Sequence, residues 1–395
     1  MTHKIRLTYS LLIILVLSAT QLFAQGNNNA AEVYVNLQKM HTLKKVLYIA
    51  AHPDDENTRA LAYFSLGEKA ETAYLSLTRG DGGQNLIGDE LSEKLGVLRT
   101  QELLAARSHD KAKQYFTRAV DFGYSKSSKE SLELWGNDEI LSDVVLVIRQ
   151  FKPDVIITRF PPDKRGGHGH HTASAMLAIE AFEKAADKNY LPEQVKEFGT
   201  WQTGSLYWNA SNWWNKELAT TAVNNPEYII QDIGGYNSQL GKSYTEIGTI
   251  ARSQHKCQGF GAILDRGSKL EYFEYMKGNK LKNNFFENNA TTWSDLFDTN
   301  FESRFDSIVS NFNFISLEKN VPALLALRKT LLTLPESTFK RDKLARCTAI
   351  IQDCLGLYVE AVSKDYAYVQ GSEIDCKLNV LNRSDLSVNL VGINT

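Results

Sequence analysis

Short apolar runs alternate with longer amphipathic stretches from about residue 45 to residue 260. The apolar runs are rich in Val, Ile, Leu and Tyr and are bounded by polar residues or glycine, which is typical of buried strands. We predict strands at 45–51, 73–78, 117–121, 154–159 and 204–209. Helical periodicity predicts helices at 56–68, 93–114, 138–151 and 172–187. Strands that alternate with helices indicate right-handed βαβ units. We therefore predict an α/β fold with a Rossmann-like, mostly parallel sheet that is covered by helices on both faces.

The pattern changes on either side of this region, which we take as one domain of residues 41–265. Residues 25–40 are largely polar and are predicted to be a linker, whereas residues 266–365 are predicted to form a helical extension. Residues 366–395 alternate as strands do and indicate the start of a β-rich domain. Because two strands do not form an independent core, these strands either pack on the helices or belong to a truncated domain.

The N-terminus has the pattern of a secretory signal peptide. Lys4 and Arg6 form a basic flank, residues 11–17 are an apolar core, and Ala24 is a small residue suited to cleavage. We predict a signal peptide at residues 1–24 and a secreted or periplasmic protein. The apolar run is shorter than the ~20 residues of a membrane-spanning helix. An uncleaved membrane anchor is the alternative, and no stable span is expected after cleavage.

The charge composition of the chain argues against a nucleic-acid partner. The chain has 395 residues and a net charge of −2, with 44 basic and 46 acidic residues. No basic patch typical of nucleic-acid binding is present in the sequence.

Cys347 and Cys354 lie seven positions apart in a helical pattern, about 10 Å, which is too far for a disulfide within one helix.

The stretch VLYIAAHPDDENT, residues 46–58, places polar residues directly after the first predicted strand. His52 and Asp55 lie three positions apart across a turn stiffened by Pro53, so both side chains can face one metal ion. Asp54 can face the open side of that ion and act as the general base. The competing interpretation is an acidic helix start, since Asp and Glu favour helix N-termini.

A second loop supplies the missing donor. Residues 166–171, GGHGHH, follow a later strand and carry three of the eight histidines of the chain. His171 opens a predicted helix and is the best-placed third ligand, while His168 could stabilise an oxyanion. A cluster of histidines is by itself more often a surface loop. In open α/β sheets, however, ligands bind at the carboxyl ends of strands, where both loops fall.

These residues resemble the PIG-L/LmbE-like zinc deacetylases, which remove the acetyl group from N-acetylglucosaminyl conjugates. The resemblance rests on AHPDDE (51–56) and on His168-x-x-His171, and it extends over about residues 40–265. It implies that His52, Asp55 and His171 bind zinc, or another divalent metal, that Asp54 is the general base, and that His168 is the oxyanion-stabilising or acid partner.

The resemblance also implies substrate-binding residues. These are Arg79, Arg99, His170, His255 and Gln258. Arg99 and Glu102 could equally be a surface pair on one helix, since they lie three positions apart. One departure concerns His170, which stands where the family often has Asp, and this replacement could offer an alternative ligand.

We therefore predict an enzyme, a zinc-dependent amidohydrolase that removes the N-acetyl group from an N-acetylglucosamine-containing glycan or glycoconjugate. The alternative is a non-catalytic, metal-containing carbohydrate-binding protein on the same scaffold. A dinucleotide-binding enzyme is disfavoured because no G-x-G-x-x-G follows the first strand. In the aromatic-rich segment 201–215, Trp213 and Trp214 are predicted to line a sugar groove, while Trp201, Tyr207 and Trp208 are predicted to be core residues.

Overall fold

The structure, a computed structural model, describes residues 3–5, 28–287, 289, 292–293 and 299–393. The chain divides into two compact units. The larger unit is Thr42–Phe297, and the smaller unit consists of Met1–His41 together with Asp298–Thr395. The predicted signal sequence lies outside the described residues, apart from residues 3–5. No helix in the described ranges has the length and apolar character that crossing a bilayer requires.

Helices and strands alternate along much of the described chain. The helices are α1 (Ala30–His41), α2 (Thr58–Ala62), α3 (Glu93–Asp110), α4 (Ser128–Trp135), α5 (Asn137–Phe151), α6 (Gly169–Lys184), α7 (Pro192–Phe198), α8 (Leu218–Ala222), α9 (Tyr244–Arg252), α10 (Thr299–Ser310), α11 (Val321–Leu332) and α12 (Thr338–Cys354). The strands are β1 (His3–Ile5), β2 (Lys45–Ala50), β3 (Glu71–Ser76), β4 (Lys113–Phe116), β5 (Val155–Thr158), β6 (Ser205–Ala210), β7 (Tyr228–Asp232), β8 (Tyr236–Asn237), β9 (Lys242–Ser243), β10 (Leu270–Gly278), β11 (Tyr358–Ser363) and β12 (Ile374–Leu381). A π-helical turn, Tyr63–Gly67, continues α2.

A seven-stranded sheet in the order β4-β3-β2-β5-β6-β10-β7 forms the centre of the larger unit. Strands β4, β3, β2, β5 and β6 pair in parallel, while β10 pairs antiparallel with both β6 and β7. The predicted α/β class and mostly parallel sheet are therefore confirmed.

The sheet is buried on both faces, as a parallel sheet with crossover helices requires. Along β2, Leu47 and Ile49 pack into one apolar cluster with α5 and α6. Val46 and Tyr48 point to the opposite cluster, which includes residues of α2. The continuous apolar run at 46–50 is explained by this two-sided burial, because each side chain along the strand meets a covered face.

Strand β2 lies between β3 and β5 and runs parallel to both. The carboxyl ends of the three strands therefore lie side by side, and so do the three loops that follow them. These are the loops that carry the AHPDDE, TRGDGG and GGHGHH motifs. The sheet thus brings together residues far apart in sequence.

The structure differs from several predicted boundaries. The strand predicted at 117–121 lies at Lys113–Phe116, immediately after α3 ends. The sheet includes residues beyond 265, because β10 lies between β6 and β7 and pairs antiparallel with both. The predicted helical extension therefore begins with a strand of the larger unit.

The smaller unit contains α1, α10, α11, α12 and a three-stranded sheet in the order β1-β12-β11. Helix α1 (Ala30–His41) covers most of the predicted linker of residues 25–40, and it buries Val33, Leu37 and Met40. Helical spacing of these apolar residues outweighs the polar composition of the segment. The first of the C-terminal strands, β11, begins at Tyr358, before the predicted boundary at 366.

The α2–α9 crossing depends on a glycine. A Cβ on Gly248 of α9 would lie 2.5 Å from the Cα of Arg59 in α2. Thr58 Oγ1 also donates to the Gly248 carbonyl at 2.7 Å, so the two helices touch through their backbones. A side chain at position 248 would separate them.

We predict that Gly248→Ala lowers the free energy of unfolding by about 1–3 kcal/mol, the usual cost of overpacking. Helix propensity alone predicts a gain of about 1 kcal/mol, so the sign of the change distinguishes the two effects. Denaturant titration measures it. Gly261→Ala is the control, because a Cβ there meets no atom within 4 Å; an unchanged Gly248→Ala variant would contradict the close crossing.

Candidate metal centre

The loop after β2 folds so that His52 and Asp55 face each other. The backbone N–H of His52 donates to Asp55 Oδ2 at 2.7 Å, and His52 Nδ1 lies 3.0 Å from the same oxygen. The hydroxyl of Tyr74, from β3, donates to the His52 carbonyl at 2.5 Å. The spacing of three residues therefore gives a tight local pair that is held by the neighbouring strand.

His171 reaches this pair from the first turn of α6. Its Nδ1 lies 3.1 Å from the Gly166 carbonyl, so Nδ1 carries the proton and Nε2 keeps its lone pair. That Nε2 lies 3.5 Å from Asp55 Oδ1. The ring of Phe160 stacks on the imidazole of His171 at 3.7 Å between ring centroids, which fixes its orientation.

Donor atoms of His52, Asp55 and His171 lie within 4.8 Å of one another. Two imidazoles and a carboxylate are the donor set of many catalytic zinc sites, which leave a fourth position open. Asp55 is largely buried, and its ion-pair partners among the described residues are His52 and His171. With neutral imidazoles the carboxylate has no permanent counter-charge, so the site fits a divalent cation.

A second group of donors shares His52 with the first. His52 Nε2 lies 3.0 Å from His170 Nδ1, and donor atoms of His52, His168 and His170 also lie within 4.8 Å of one another. Asp121 lies near both rings, at 3.8 Å from His52 Nε2 and 3.6 Å from His170 Nδ1. When His52 binds a metal through Nδ1, its Nε2–H is free to donate to His170.

His170 is completely buried, between the rings of Phe122 and Trp135, whose centroids lie 4.5 Å from its own. Burial lowers its pKa to about 2, so the ring is neutral, and its Nδ1 is an acceptor when His52 Nε2 carries a proton. A substrate cannot touch a side chain in this position. The structure therefore contradicts the substrate-binding role predicted for His170, whose ring lies behind His52.

Asp54 lies beside the donor group with its carboxyl partly accessible. Arg99 Nη2 donates to Asp54 Oδ1 at 2.6 Å. Burial raises the pKa of Asp54 to about 6, against the opposing effect of the Arg99 guanidinium. Arg99 is almost fully buried and pairs with Asp54, so it is not a surface residue. Glu102 instead accepts from Cys257.

His168 caps the N-terminus of α6. Its Nδ1 accepts the backbone N–H of His170 at 3.0 Å, so a neutral ring carries its proton on Nε2. Burial and the neighbouring rings of His52 and His171 lower its pKa to about 4. His168 is half-buried, and the exposed Tyr124 lies beside it with 5.0 Å between ring centroids. Of its two predicted roles, this geometry favours a neutral hydrogen-bond donor over an acid.

Glu56 is a site residue that the sequence analysis did not identify. It has no exposed surface, and its Oε1 accepts from Arg107 Nη2 at 3.1 Å and from His255 Nε2 at 3.0 Å. Burial alone would raise its pKa, but His255 and Arg107 lower it to about 2. His255 is itself fully buried, so its predicted contact with substrate is replaced by this contact with Glu56.

The remaining predicted residues lie around the site rather than in it. Arg79 is exposed, covers the ring of Phe116 at 4.1 Å and donates to Thr100. Gln258 donates to the Gln84 carbonyl at 2.6 Å, which joins two loops. The structure places neither side chain against the donor group.

Two further predictions concern Glu102 and the aromatic segment 201–215. Glu102 accepts both the backbone N–H and the thiol of Cys257, each at 2.8 Å. Tyr207 and Trp208 are buried as predicted, while Trp213 is 88% exposed. Trp214 lies 6.1 Å from Phe160, the residue stacked on His171, so it is close enough to border a bound ligand.

Fold and donor set together define an α/β domain with a candidate metal centre at the carboxyl edge of its sheet. Residues 47–182 match the family model described as PIG-L, GlcNAc-PI de-N-acetylase. The chain therefore contains a PIG-L family domain, and the resemblance predicted from the two histidine motifs is confirmed.

Several curated proteins are similar over the same region. A 1D-myo-inositol 2-acetamido-2-deoxy-alpha-D-glucopyranoside deacetylase from Geodermatophilus obscurus is 30% identical over 184 residues, covering 42% of this chain and 60% of that protein. A protein of the same name from Rhodococcus erythropolis is 31% identical over 201 residues, covering 46% and 65%. A mycothiol S-conjugate amidase from Streptomyces coelicolor is 29% identical over 181 residues, covering 42% and 60%. The chain thus spans 60–65% of the length of these relatives.

Among solved structures, an N,N'-diacetylchitobiose deacetylase from Pyrococcus horikoshii is 20% identical with a TM-score of 0.39, covering 54% of this chain and 70% of that one. The TM-score is too low to support an argument. The fold assignment therefore rests on the sheet topology of this chain.

We predict that His170→Phe lowers the affinity for zinc by about 10- to 100-fold, the usual effect of removing a hydrogen-bond partner of a ligating histidine. The reason is that His52 Nε2–H loses its acceptor. Competition with a chromophoric chelator measures the dissociation constant. Phe122→Leu, which changes the packing against His170 and removes no side-chain hydrogen bond, is the control. Equal losses in both variants would show that packing, rather than the hydrogen bond, sets the affinity.

Proposed function

We propose that this protein is a zinc-dependent amidohydrolase that removes the acetyl group from an N-acetylglucosamine-containing glycan or glycoconjugate. The observation that supports the proposal is the grouping of His52, Asp55 and His171 at one sheet edge with a further carboxylate, Asp54, beside them. Three donors and an adjacent base are the minimum that metal-assisted amide hydrolysis needs.

A divalent cation held by these donors would supply Lewis acidity, which polarises an amide carbonyl and makes water more acidic. Asp54 takes a proton from the attacking water as the water oxygen bonds to the carbonyl carbon. Arg99 keeps the Asp54 carboxyl in place through Oδ1, which leaves Oδ2 for the water. The base thus has one oxygen for positioning and one for proton transfer.

His168 acts as a neutral donor in this mechanism. Because its Nδ1 accepts from the backbone of His170, its Nε2–H points away from the helix and can stabilise the negative charge on the former carbonyl oxygen. The C–N bond then breaks and Asp54 returns its proton to the leaving nitrogen, so the first products are acetic acid and a free amine. The second water proton stays on the new carboxyl group and then passes to the amine, which gives acetate and an ammonium group.

The relatives support the proposed substrate class. Two of the similar curated proteins are named for an acetamido sugar. Trp214, beside Phe160, adds aromatic surface close to the centre, on which a sugar face can stack. An amino sugar whose N-acetyl group reaches the metal fits these features.

We predict that Asp54→Asn lowers kcat for acetate release by about 10²- to 10⁴-fold, the usual contribution of a general base. Bound zinc should be retained, because Asp54 is not among the three donors. The measurement is amine release from a panel of N-acetylated amino sugars and glycoconjugates, with the metal content of each variant determined in parallel.

Asp163→Asn is the matched control, since this exposed carboxylate pairs with Arg165 and should leave turnover unchanged. Undiminished turnover by Asp54→Asn would contradict the mechanism. Sugar binding by the wild-type protein without any amine release would instead favour a non-catalytic carbohydrate-binding protein.

A further inference from the structure

The backbone of Asp54 adopts a conformation that side chains rarely take. Its φ is +95°, outside the range that non-glycine residues prefer. Such a conformation is strained and persists only when its surroundings hold it in place. The turn between the ligands His52 and Asp55 therefore needs external support.

Three charged side chains contact this turn, two from distant segments, Arg99 and Arg252, and one, Glu56, that lies two positions after Asp54. The Asp54 N–H donates to Glu56 Oε2 at 2.9 Å, and Arg252 Nη1 donates to the Asp54 carbonyl at 3.1 Å. Arg99 donates to the Pro53 carbonyl and to the Asp54 carboxyl. Each polar group of the Asp54 backbone thus has a charged partner.

Glu56 differs from the two arginines because other buried side chains hold its carboxylate in place. Its Oε2 holds the Asp54 N–H, while its Oε1 is held by Arg107 and His255, and all three side chains are fully buried. A buried carboxylate is stable only when its lone pairs are satisfied. Arg107 in α3 and His255 after α9 therefore fix the Glu56 side chain, and Glu56 in turn holds the N–H of Asp54.

We propose that Glu56 is a positioning residue, which holds Asp54 in its left-handed conformation and so aims the base at the reacting water. This inference rests on the proposed function, in which Asp54 is the base. The helix start does not require Glu56, because Asn57 is the N-cap of α2 and accepts from the Ala60 N–H at 3.2 Å.

Asp110 offers a matched comparison. Like Glu56 it is a fully buried carboxylate bonded to Arg107, with contacts at 2.6 and 3.1 Å. It also accepts the backbone N–H of Ala112 at 3.0 Å, and no hydrogen bond joins it to the Asp54 turn among the described residues. A purely structural role for the buried network would make the two carboxylates equivalent, whereas positioning of the base distinguishes them.

The experiment compares Glu56→Gln with Asp110→Asn in the full chain. Each variant is assayed for zinc content, for kcat and KM on the best substrate of the panel, and for hydrogen exchange of a peptide covering residues 50–58. We expect Glu56→Gln to lower kcat by about 10- to 100-fold, the scale of a misplaced catalytic group. KM and zinc content should change little, and exchange of the peptide should become faster. Asp110→Asn should leave kcat and this peptide unchanged, whatever its effect on thermal stability.

His255→Phe serves if Glu56→Gln does not fold, because it removes one support of Glu56 and keeps the Glu56–Arg107 ion pair. A smaller change in the same direction is expected. Unaltered exchange and kcat in the Glu56 variant, or equal losses in the Asp110 variant, would overturn the proposal. If the wild-type protein releases no amine from any substrate, the proposed function fails, and the exchange measurement still decides whether Glu56 holds the turn.

Discussion

The parallel pairing of β2 with β3 on one side and β5 on the other is the constraint on which the site depends. Parallel strands deliver their following loops to one edge, and β2 contributes a ligand loop flanked by both of its neighbours. His52 and His171 lie 119 positions apart in the numbering but meet over Asp55. Burial of β2 on both faces, through Leu47 and Val46 among others, keeps this edge rigid.

Three consecutive carboxylates follow β2 and repel one another, and different neighbouring residues pair with each of them. Asp54 pairs with Arg99, and Glu56 pairs with Arg107. Asp55 faces only imidazoles among the described residues, which leaves it for a cation. Like charges at such short range repel strongly in a buried setting, and the arginines offset this repulsion for Asp54 and Glu56. In the proposed mechanism the neighbouring positions 54, 55 and 56 serve as base, ligand and support.

Much of this arrangement could be predicted from local patterns. Apolar runs located β2, β3, β5 and β6, and the order of strands and helices gave the parallel sheet. The spacing of His52 and Asp55 and the histidine run at 168–171 indicated the donors, since these residues follow strands directly.

The parts that the sequence did not reveal are long-range contacts between charged groups. Glu56, Arg107 and His255 come from three distant segments and carry no local signal of their meeting. The position of His170 behind His52 likewise depends on the packing of Phe122 and Trp135, not on its spacing from His168. Helix α1 was missed because a polar composition concealed the helical spacing of Val33, Leu37 and Met40.

The central claim is that a cation binds to His52, Asp55 and His171 rather than to the overlapping group of His52, His168 and His170. Anomalous diffraction at the zinc edge, from crystals of the protein with zinc, tests this directly. We predict one peak at about 2.0–2.2 Å from His52 Nδ1, His171 Nε2 and an Asp55 oxygen, the usual zinc distances. A peak bound instead by His52 Nε2, His168 and His170, or no peak at all, would contradict the account.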